Sequence, residues 1–439
     1  MNEREMAVWI DEQRIGTLRE RQSLWAFEYT DAWRSHPAHF ALSPHMPVAD
    51  AALVDGATVR PIQWYFDNLL PEESARTLLA KDAKVADVSD AFGLLEYYGR
   101  ESAGSLTLCS PEDPVETRSG MRALPDTELN ERIRQLPTLP LTHGAPKKMS
   151  LAGAQHKLAV IVRDGELFEP EGQAASTHIL KPNHPQVDDY PHSVINEWFV
   201  MKLAKRVGLD VPQVDRRYVP APVYLIERFD RVIGENSVRR RHAIDGCQLL
   251  NLAASMKYSA WSVDALSALA DACRTTALAR LRIYRWLVFC VIVGNGDCHL
   301  KNLSFLVGHD GVALAPHYDL LSESVYETPE YSARGRWPDL VEFTRPIDGV
   351  QRYSQITPEI LLGAGKALGI NEAVARRNLG EMVRIVTVAA DELLADVAKE
   401  NDAIMEKRPE LAATFGGEMR CLRAIRHTVI EEAIRRLDA

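Results

Sequence analysis

The segment that most restricts what this chain can fold into is residues 277–293. It is a largely apolar stretch from Ala277 to Val293, followed at once by the polar, glycine-broken Gly294-Asn295-Gly296-Asp297-Cys298-His299-Leu300-Lys301-Asn302. No apolar run in the chain approaches the ~18 residues of a membrane span. The stretch therefore reads as a helix buried inside a protein, and such a helix delivers the polar loop at its end to one fixed place. With 439 residues, 46% of them apolar and 26% charged, the composition is ordinary globular and long enough for two or three domains.

Around this segment the pattern changes from strands to helices. Val8 and Ile10, then Ile15 and Leu18, alternate about a turn at Asp11-Glu12-Gln13, which predicts a hairpin. An aromatic cluster from Trp64 to Leu70 is closed by Pro71-Glu72-Glu73, suited to the first turn of a helix through Leu78 and Leu79. These predict a small α+β domain over 1–109. Residues 110–148 hold six prolines (Pro111, Pro114, Pro125, Pro137, Pro140, Pro146) and few periodic apolar positions, so they read as a connecting segment.

Beyond it, Leu158–Val162 and Leu167–Phe168 flank Asp164-Gly165, a hairpin turn pair, and Thr177–Lys181 reads as a short strand. A helix is predicted from Val194 to Val207 with its stop at Gly208, and another strand over 223–229. From Trp261 onward the pattern is mostly helical. The boundaries expected are 149–235 for a strand-rich lobe and 236–439 for a helical one, giving an α+β fold of two lobes with an added N-terminal subdomain.

Charge and cysteines exclude some functions. The net charge is -10, and residues 1–110 hold 17 acidic against 10 basic residues. An acidic chain is a poor unaided binder of nucleic acid, because phosphate neutralisation needs concentrated positive charge. Six scattered cysteines without a C-x-x-C pair indicate reduced thiols rather than disulfides or a zinc knuckle. Glu3, Arg4 and Glu5 stand where a signal peptide would be basic and then apolar, so a soluble, cytoplasmic protein is expected.

The loop after the buried helix carries a recognisable chemistry. Phosphoryl transfer by a kinase needs an aspartate to accept or orient the acceptor hydroxyl proton and an asparagine five residues on to hold Mg²⁺. Asp297 and Asn302 have that spacing, and Asp319 in Tyr318-Asp319-Leu320 supplies a second metal acid after two strand-like runs. Lys181 ends a strand, where its ammonium would reach nucleotide phosphates, and Glu197 lies sixteen residues later on the next helix, placed to pair with it. The backbone of Glu227 to Phe229 is a candidate adenine-binding hinge. Ser150 to Lys157 precedes the first strand of the lobe, where a phosphate-covering loop belongs, although it holds only one glycine. Each piece alone has a bland counterpart: a solvated turn, a helix surface, a buried strand. Their order along the chain favours the kinase reading. No Walker A, H-E-x-x-H or G-x-S-x-G sequence occurs.

Taken in order, these segments resemble the HipA family, the serine/threonine kinase toxins of bacterial HipBA toxin-antitoxin modules. The resemblance rests on Phe66-Asp67-Asn68-Leu69-Leu70-Pro71, Ser150 to Lys157, Thr177 to Lys181, Asn196-Glu197, Glu227-Arg228-Phe229-Asp230, Gly296 to Asn302 and Pro316-His317-Tyr318-Asp319. It implies a two-lobed protein-kinase-like fold with an added N-terminal α+β subdomain and an all-helical C-terminal lobe. ATP and Mg²⁺ are implied, with Asp297 as catalytic base, Asn302 and Asp319 on Mg²⁺, and Lys157, Lys181 and His299 near the nucleotide. Glu227 and Phe229 would hold adenine through their backbones, and Ser150 would be autophosphorylated as an off-switch. The implied partners are a small helix-turn-helix antitoxin like HipB, operator DNA reached only through it, and an aminoacyl-tRNA synthetase as substrate, glutamyl-tRNA synthetase first. Cys298 departs from the family pattern, which has a small residue there, commonly glycine.

Two other readings stay open on sequence. One is a binding module without catalysis, acting as corepressor, with Arg376, Arg377, Arg420, Arg423, Arg426, Arg435 and Arg436 near phosphates. The other is kinase chemistry on a lipid or small molecule. Lys181, Asp297, Asn302 and Asp319 together speak against loss of catalysis.

Overall fold

Alternating apolar residues make the first strands fold back on themselves, as the hairpin pattern predicts. Arg4–Ile10 pairs antiparallel with Gln13–Arg21, and Asp11 takes a positive φ of 48° at the turn between them. The structure is a computed structural model that describes residues 3–112, 119–234 and 237–438. Pro114 and the expected boundary at 235/236 lie outside the described residues. The chain divides into two units. The first comprises 1–185, 217–257 and 304–315, and the second comprises 186–216, 258–303 and 316–439.

In the first unit, an antiparallel sheet runs in the order Leu53–Val54, Leu24–Tyr29, Gln13–Arg21, Arg4–Ile10, Leu106–Cys109. Helices Pro61–Asp67, Glu73–Asp82 and Ala91–Tyr98 accompany it, burying Phe66, Leu79 and Phe92. A second, six-stranded sheet orders Val214–Tyr218, Pro222–Glu227, His178–Pro182, Leu158–Arg163, Glu166–Gly172 and Ser119–Ala123. Its central hairpin turns on Asp164 and Gly165 with φ of 52° and 80°, the left-handed pair that a tight turn of this kind demands.

The proline-rich 110–148 stretch, expected to connect, builds structure instead. Ser119–Ala123 adds an edge strand against Glu166–Gly172, and helix Asp126–Arg134 follows it. Leu124, Leu129 and Leu141 enter the apolar core formed by Leu158, Val160, Leu180 and Val223. A third sheet of Ala243–Asp245, Ser304–Gly308 and Gly311–Leu314 also belongs to this unit, although its residues fall within the span expected to be helical.

The second unit is helical apart from the hairpin Glu342–Ile347 with Val350–Arg352 and the first residues of strand Val214–Tyr218. Its centre is the helix Thr276–Val293, buried along almost all of its second half with Trp286, Leu287, Phe289 and Ile292 fully enclosed. Ser193–Arg206, Pro358–Ala367, the 34-residue Glu372–Met405 and Ala412–Ala424 form the remaining long helices. All six cysteines are free and buried. Among the described residues no helix is long and apolar enough to cross a membrane.

Candidate active site

The central helix ends on glycine for a steric reason. Gly294 adopts φ 66°, and the amide of Asn295 returns to the Cys290 carbonyl at 2.8 Å, closing the last turn. A Cβ on Gly294 would lie 2.7–2.8 Å from Ser324 and Val429. The chain thus leaves the helix in one direction only.

The loop that follows is tied to itself. The Asp297 carbonyl accepts the His299 amide at 2.9 Å and the Asn302 side-chain Nδ2 at 3.1 Å. The Asn302 amide donates to the His299 carbonyl at 3.0 Å, completing the short 3-10 turn Leu300–Asn302. Asp297, His299 and Asn302 are therefore brought together in one turn. Lys301 is buried, with its carbonyl held by the Tyr318 hydroxyl at 2.7 Å, which draws the Pro316–Asp319 segment alongside. The Asn295 Nδ2 donates to the Asp319 carbonyl at 3.5 Å, and Asp319 itself sits at φ 59°.

The donor set suits a hard cation. Asn302 uses its nitrogen on Asp297, which directs its oxygen elsewhere, and the Asn295 Oδ1 is buried without a hydrogen-bond partner. With the Asp319 carboxylate these are oxygen donors of the kind Mg²⁺ takes.

Three features of this site carry no signal in the sequence pattern. The Tyr258 hydroxyl donates to the Asp297 Oδ1 at 2.6 Å. Gly296 lies so close to Glu323 that a Cβ there would sit 2.7 Å from its Oε2. Burial, with Asp297 and Glu327 nearby, pushes the Glu323 carboxyl up to about 7. Cys298 is buried beside Cys290, whose thiol burial pushes well up.

Glu197 is buried on Ser193–Arg206, next to Asn196, whose side chain clamps the Ser322 amide and carbonyl, each at 2.8 Å. Of the C-terminal arginines, Arg426 pairs with Asp391 and Glu431, while Arg435 and Arg436 pair with Glu432. Arg376 pairs with Glu372, and Arg420 donates to the Glu330 carbonyl.

In the first unit, Lys181 is buried on its strand, directly opposite Tyr224, with its ammonium 5.7 Å from that ring's centroid. The Arg228 amide bonds the Thr177 carbonyl at 2.9 Å, so by strand alternation the Glu227 backbone groups face away from His178–Pro182; half-buried Phe229 follows. Lys157 folds over its own loop, its Nζ donating to the Ala152 carbonyl at 2.7 Å. Burial lowers the pKa of His156 beside it, helped by the positive charge of His184 and Lys157.

The same loop is pinned by residues of the N-terminal subdomain. Ser150, fully buried, donates its hydroxyl to the Leu69 carbonyl at 2.7 Å, Pro71 bridges Gly153, and the Glu72 amide bonds the Gly153 carbonyl at 3.3 Å. Lys181 belongs to the first unit and Glu197 to the second.

This arrangement has known relatives. The HipA N-terminal domain model matches residues 6–109, and the HipA-like C-terminal domain model matches residues 149–389. The chain is 33% identical to the putative kinase Y4mE of Sinorhizobium fredii over 417 residues, covering 91% of this chain and 94% of that one. It is 32% identical to the serine/threonine-protein kinase toxin HipA of Shewanella oneidensis over 326 residues, covering 69% and 71%. Among solved structures it matches the Shewanella oneidensis HipA, HipB and operator DNA complex with a TM-score of 0.76 at 25% identity, over 98% of this chain and 99% of that one. The fold is α+β and protein-kinase-like, and the class is serine/threonine-protein kinase, which implies ATP as co-substrate. The chain belongs to the HipA family of kinase toxins.

Proposed function

We propose that this protein transfers the γ-phosphoryl group of ATP to a serine or threonine hydroxyl of a protein, acting as the toxin of a toxin-antitoxin pair. The observation that carries the reading is the 294–302 loop, which holds Asp297 and Asn302 in one turn at the end of a buried helix. Asp297 is the base: its carboxylate accepts the proton as the acceptor oxygen attacks the γ-phosphorus. Lys181 and Lys157 neutralise phosphate charge, and the Glu227 and Phe229 backbones hold the adenine edge. Asn302 and Asp319 would hold Mg²⁺, which when bound neutralises charge on the β and γ phosphates. His299, in the same turn as Asn302, is assigned to the nucleotide side of the site.

Ser150 fits an off-switch. Its hydroxyl is fully buried against Leu69, so the loop must undock before it can be modified. A phosphate there adds roughly two negative charges and a volume the docked position cannot take. Phosphorylation at Ser150 would hold the loop away and stop turnover.

The substrate proposed is an aminoacyl-tRNA synthetase, glutamyl-tRNA synthetase first, whose modification would arrest translation. The partner proposed is a small helix-turn-helix antitoxin that carries the operator DNA contact. This is consistent with the -10 charge and with the internal pairing of Arg426, Arg435 and Arg436. Purified protein given radiolabelled ATP and Mg²⁺ should label itself at Ser150, and Asp297→Asn should reduce labelling at least a thousandfold. Persistent labelling by that variant overturns the base assignment. Phosphoproteomics after controlled expression should find a synthetase peptide modified as growth stops; a phosphorylated lipid or metabolite alone overturns the toxin reading.

A further inference from the structure

The base assignment leaves one strong contact unexplained. Tyr258 stands 39 residues before Asp297, in no motif, yet its hydroxyl reaches the Asp297 Oδ1 at 2.6 Å, a short charge-assisted geometry. Its ring is held on two sides. His299 meets it edge-on with centroids 5.1 Å apart, and the Arg345 guanidinium lies 5.7 Å from its centroid. The phenol is therefore a fixed donor, anchored by the loop it serves and by the hairpin Glu342–Ile347. That hairpin is itself tied to the loop, because the Thr344 amide donates to the Gly296 carbonyl at 3.0 Å.

The bonds from the His299 amide and the Asn302 side chain end on the Asp297 carbonyl and fix the backbone, whereas the phenol bonds the carboxylate itself.

We infer that Tyr258 is a positioning residue for phosphoryl transfer: through its hydrogen bond to Oδ1 it restrains the rotamer in which the Asp297 carboxylate meets the acceptor hydroxyl. This rests on Asp297 being the base. Misplacing a reacting group by about 1 Å costs on the order of a hundredfold in rate. The phenol bonds the base itself, so its effect should fall on turnover rather than on the affinity for ATP.

The test is Tyr258→Phe in the full-length protein, which keeps the ring against His299 and Arg345 and removes one hydroxyl. Steady-state ATP turnover with Mg²⁺, counted as phosphate transferred to protein plus phosphate released, is measured beside Asp297→Asn, with thermal melting of both. The expected result is a kcat lowered tenfold or more, a KM for ATP within about twofold of the parent and an unchanged melting temperature. An unchanged kcat while Asp297→Asn is inactive overturns the positioning role and leaves the kinase reading intact. So does a raised KM at constant kcat, or a rate loss that follows a lowered melting temperature. Full activity of Asp297→Asn instead overturns the base assignment on which the inference stands.

Discussion

Two glutamates, one fully enclosed in the first unit and one half-buried in the second, show how differently the same side chain is handled. Glu101 is fully enclosed and receives Lys147 at 2.9 Å, Arg231 at 3.0 Å, Arg240 at 3.2 Å and Arg228 at 3.3 Å. Burial works to raise its pKa, but these four cations outweigh it and hold the carboxyl well below the usual range. Glu323 is also raised by burial, and there Asp297 and Glu327 push in the same direction, taking it to about 7. Burial acts alike on both; the sign of the neighbours decides which is ionised. The first is a structural keystone whose charge is compensated within the chain. The second stands in uncompensated company beside Asp297, and locally unfavourable electrostatics of this kind concentrate where chemistry is done.

The sharpest way to break the comparison is to remove the keystone. Glu101→Ala leaves Lys147, Arg228, Arg231 and Arg240 around a site where Asp230, paired with Arg228 at 2.7 Å, is the remaining buried acid of the network. Uncompensated buried charge costs about 3–5 kcal/mol. The first unit should unfold at markedly lower urea concentration, read by its tryptophans Trp9, Trp25, Trp33 and Trp64. A loss below about 1 kcal/mol would mean the cations find other partners and the centre is not a keystone.

Neutralising the second acid should do the opposite, and only at high pH. A carboxyl whose folded pKa is raised from 4.5 to about 7 favours folding fully below pH 4.5, and that contribution is lost as pH rises through 7. Glu323→Gln removes the ionisation, so its advantage over the parent should grow between pH 4.5 and 7. It should reach about 2–3 kcal/mol as a ceiling by pH 8. Melting temperatures at pH 5 and pH 8 check this, and an equal difference at both values would show that Glu323 does not titrate in that window.

Neither glutamate was legible in the sequence, and the reason is topological. The partners of Glu101 are spread from Lys147 to Arg240, and only the packing of the N-terminal sheet domain with strand Pro222–Glu227 and its flanking residues gathers them. What was legible is local. Asp164-Gly165, Gly208 and Gly294 all take the positive φ that their turn or cap positions imply. The interval between Asp297 and Asn302 survives as a real hydrogen bond because one short turn contains both. The failures have the converse cause. Ser119–Ala123 is a strand only because Glu166–Gly172 offers an edge, and few apolar residues were needed to seat it, so proline content suggested a linker. Tyr258 approaches Asp297 across 39 residues with nothing periodic to mark it.

A weaker change distinguishes two loops, one in each unit. The 294–302 loop is fixed by the helix that precedes it, whereas the 150–157 loop is fixed by a different segment, through Ser150 on Leu69 and Gly153 on Pro71 and Glu72. Ser150→Ala keeps the amide bond from residue 150 to the Glu101 carbonyl, 2.8 Å in the parent, and removes only the hydroxyl bond to Leu69. One neutral hydrogen bond contributes about 1 kcal/mol, or roughly a fivefold change in a local opening equilibrium. Amide hydrogen exchange over 151–157 should therefore quicken by about that factor, while exchange over 294–302 stays as it was. Unchanged exchange in both loops would place the grip on Pro71 and Glu72 alone. Faster exchange in both would mean that the two loops open together and are not independently held.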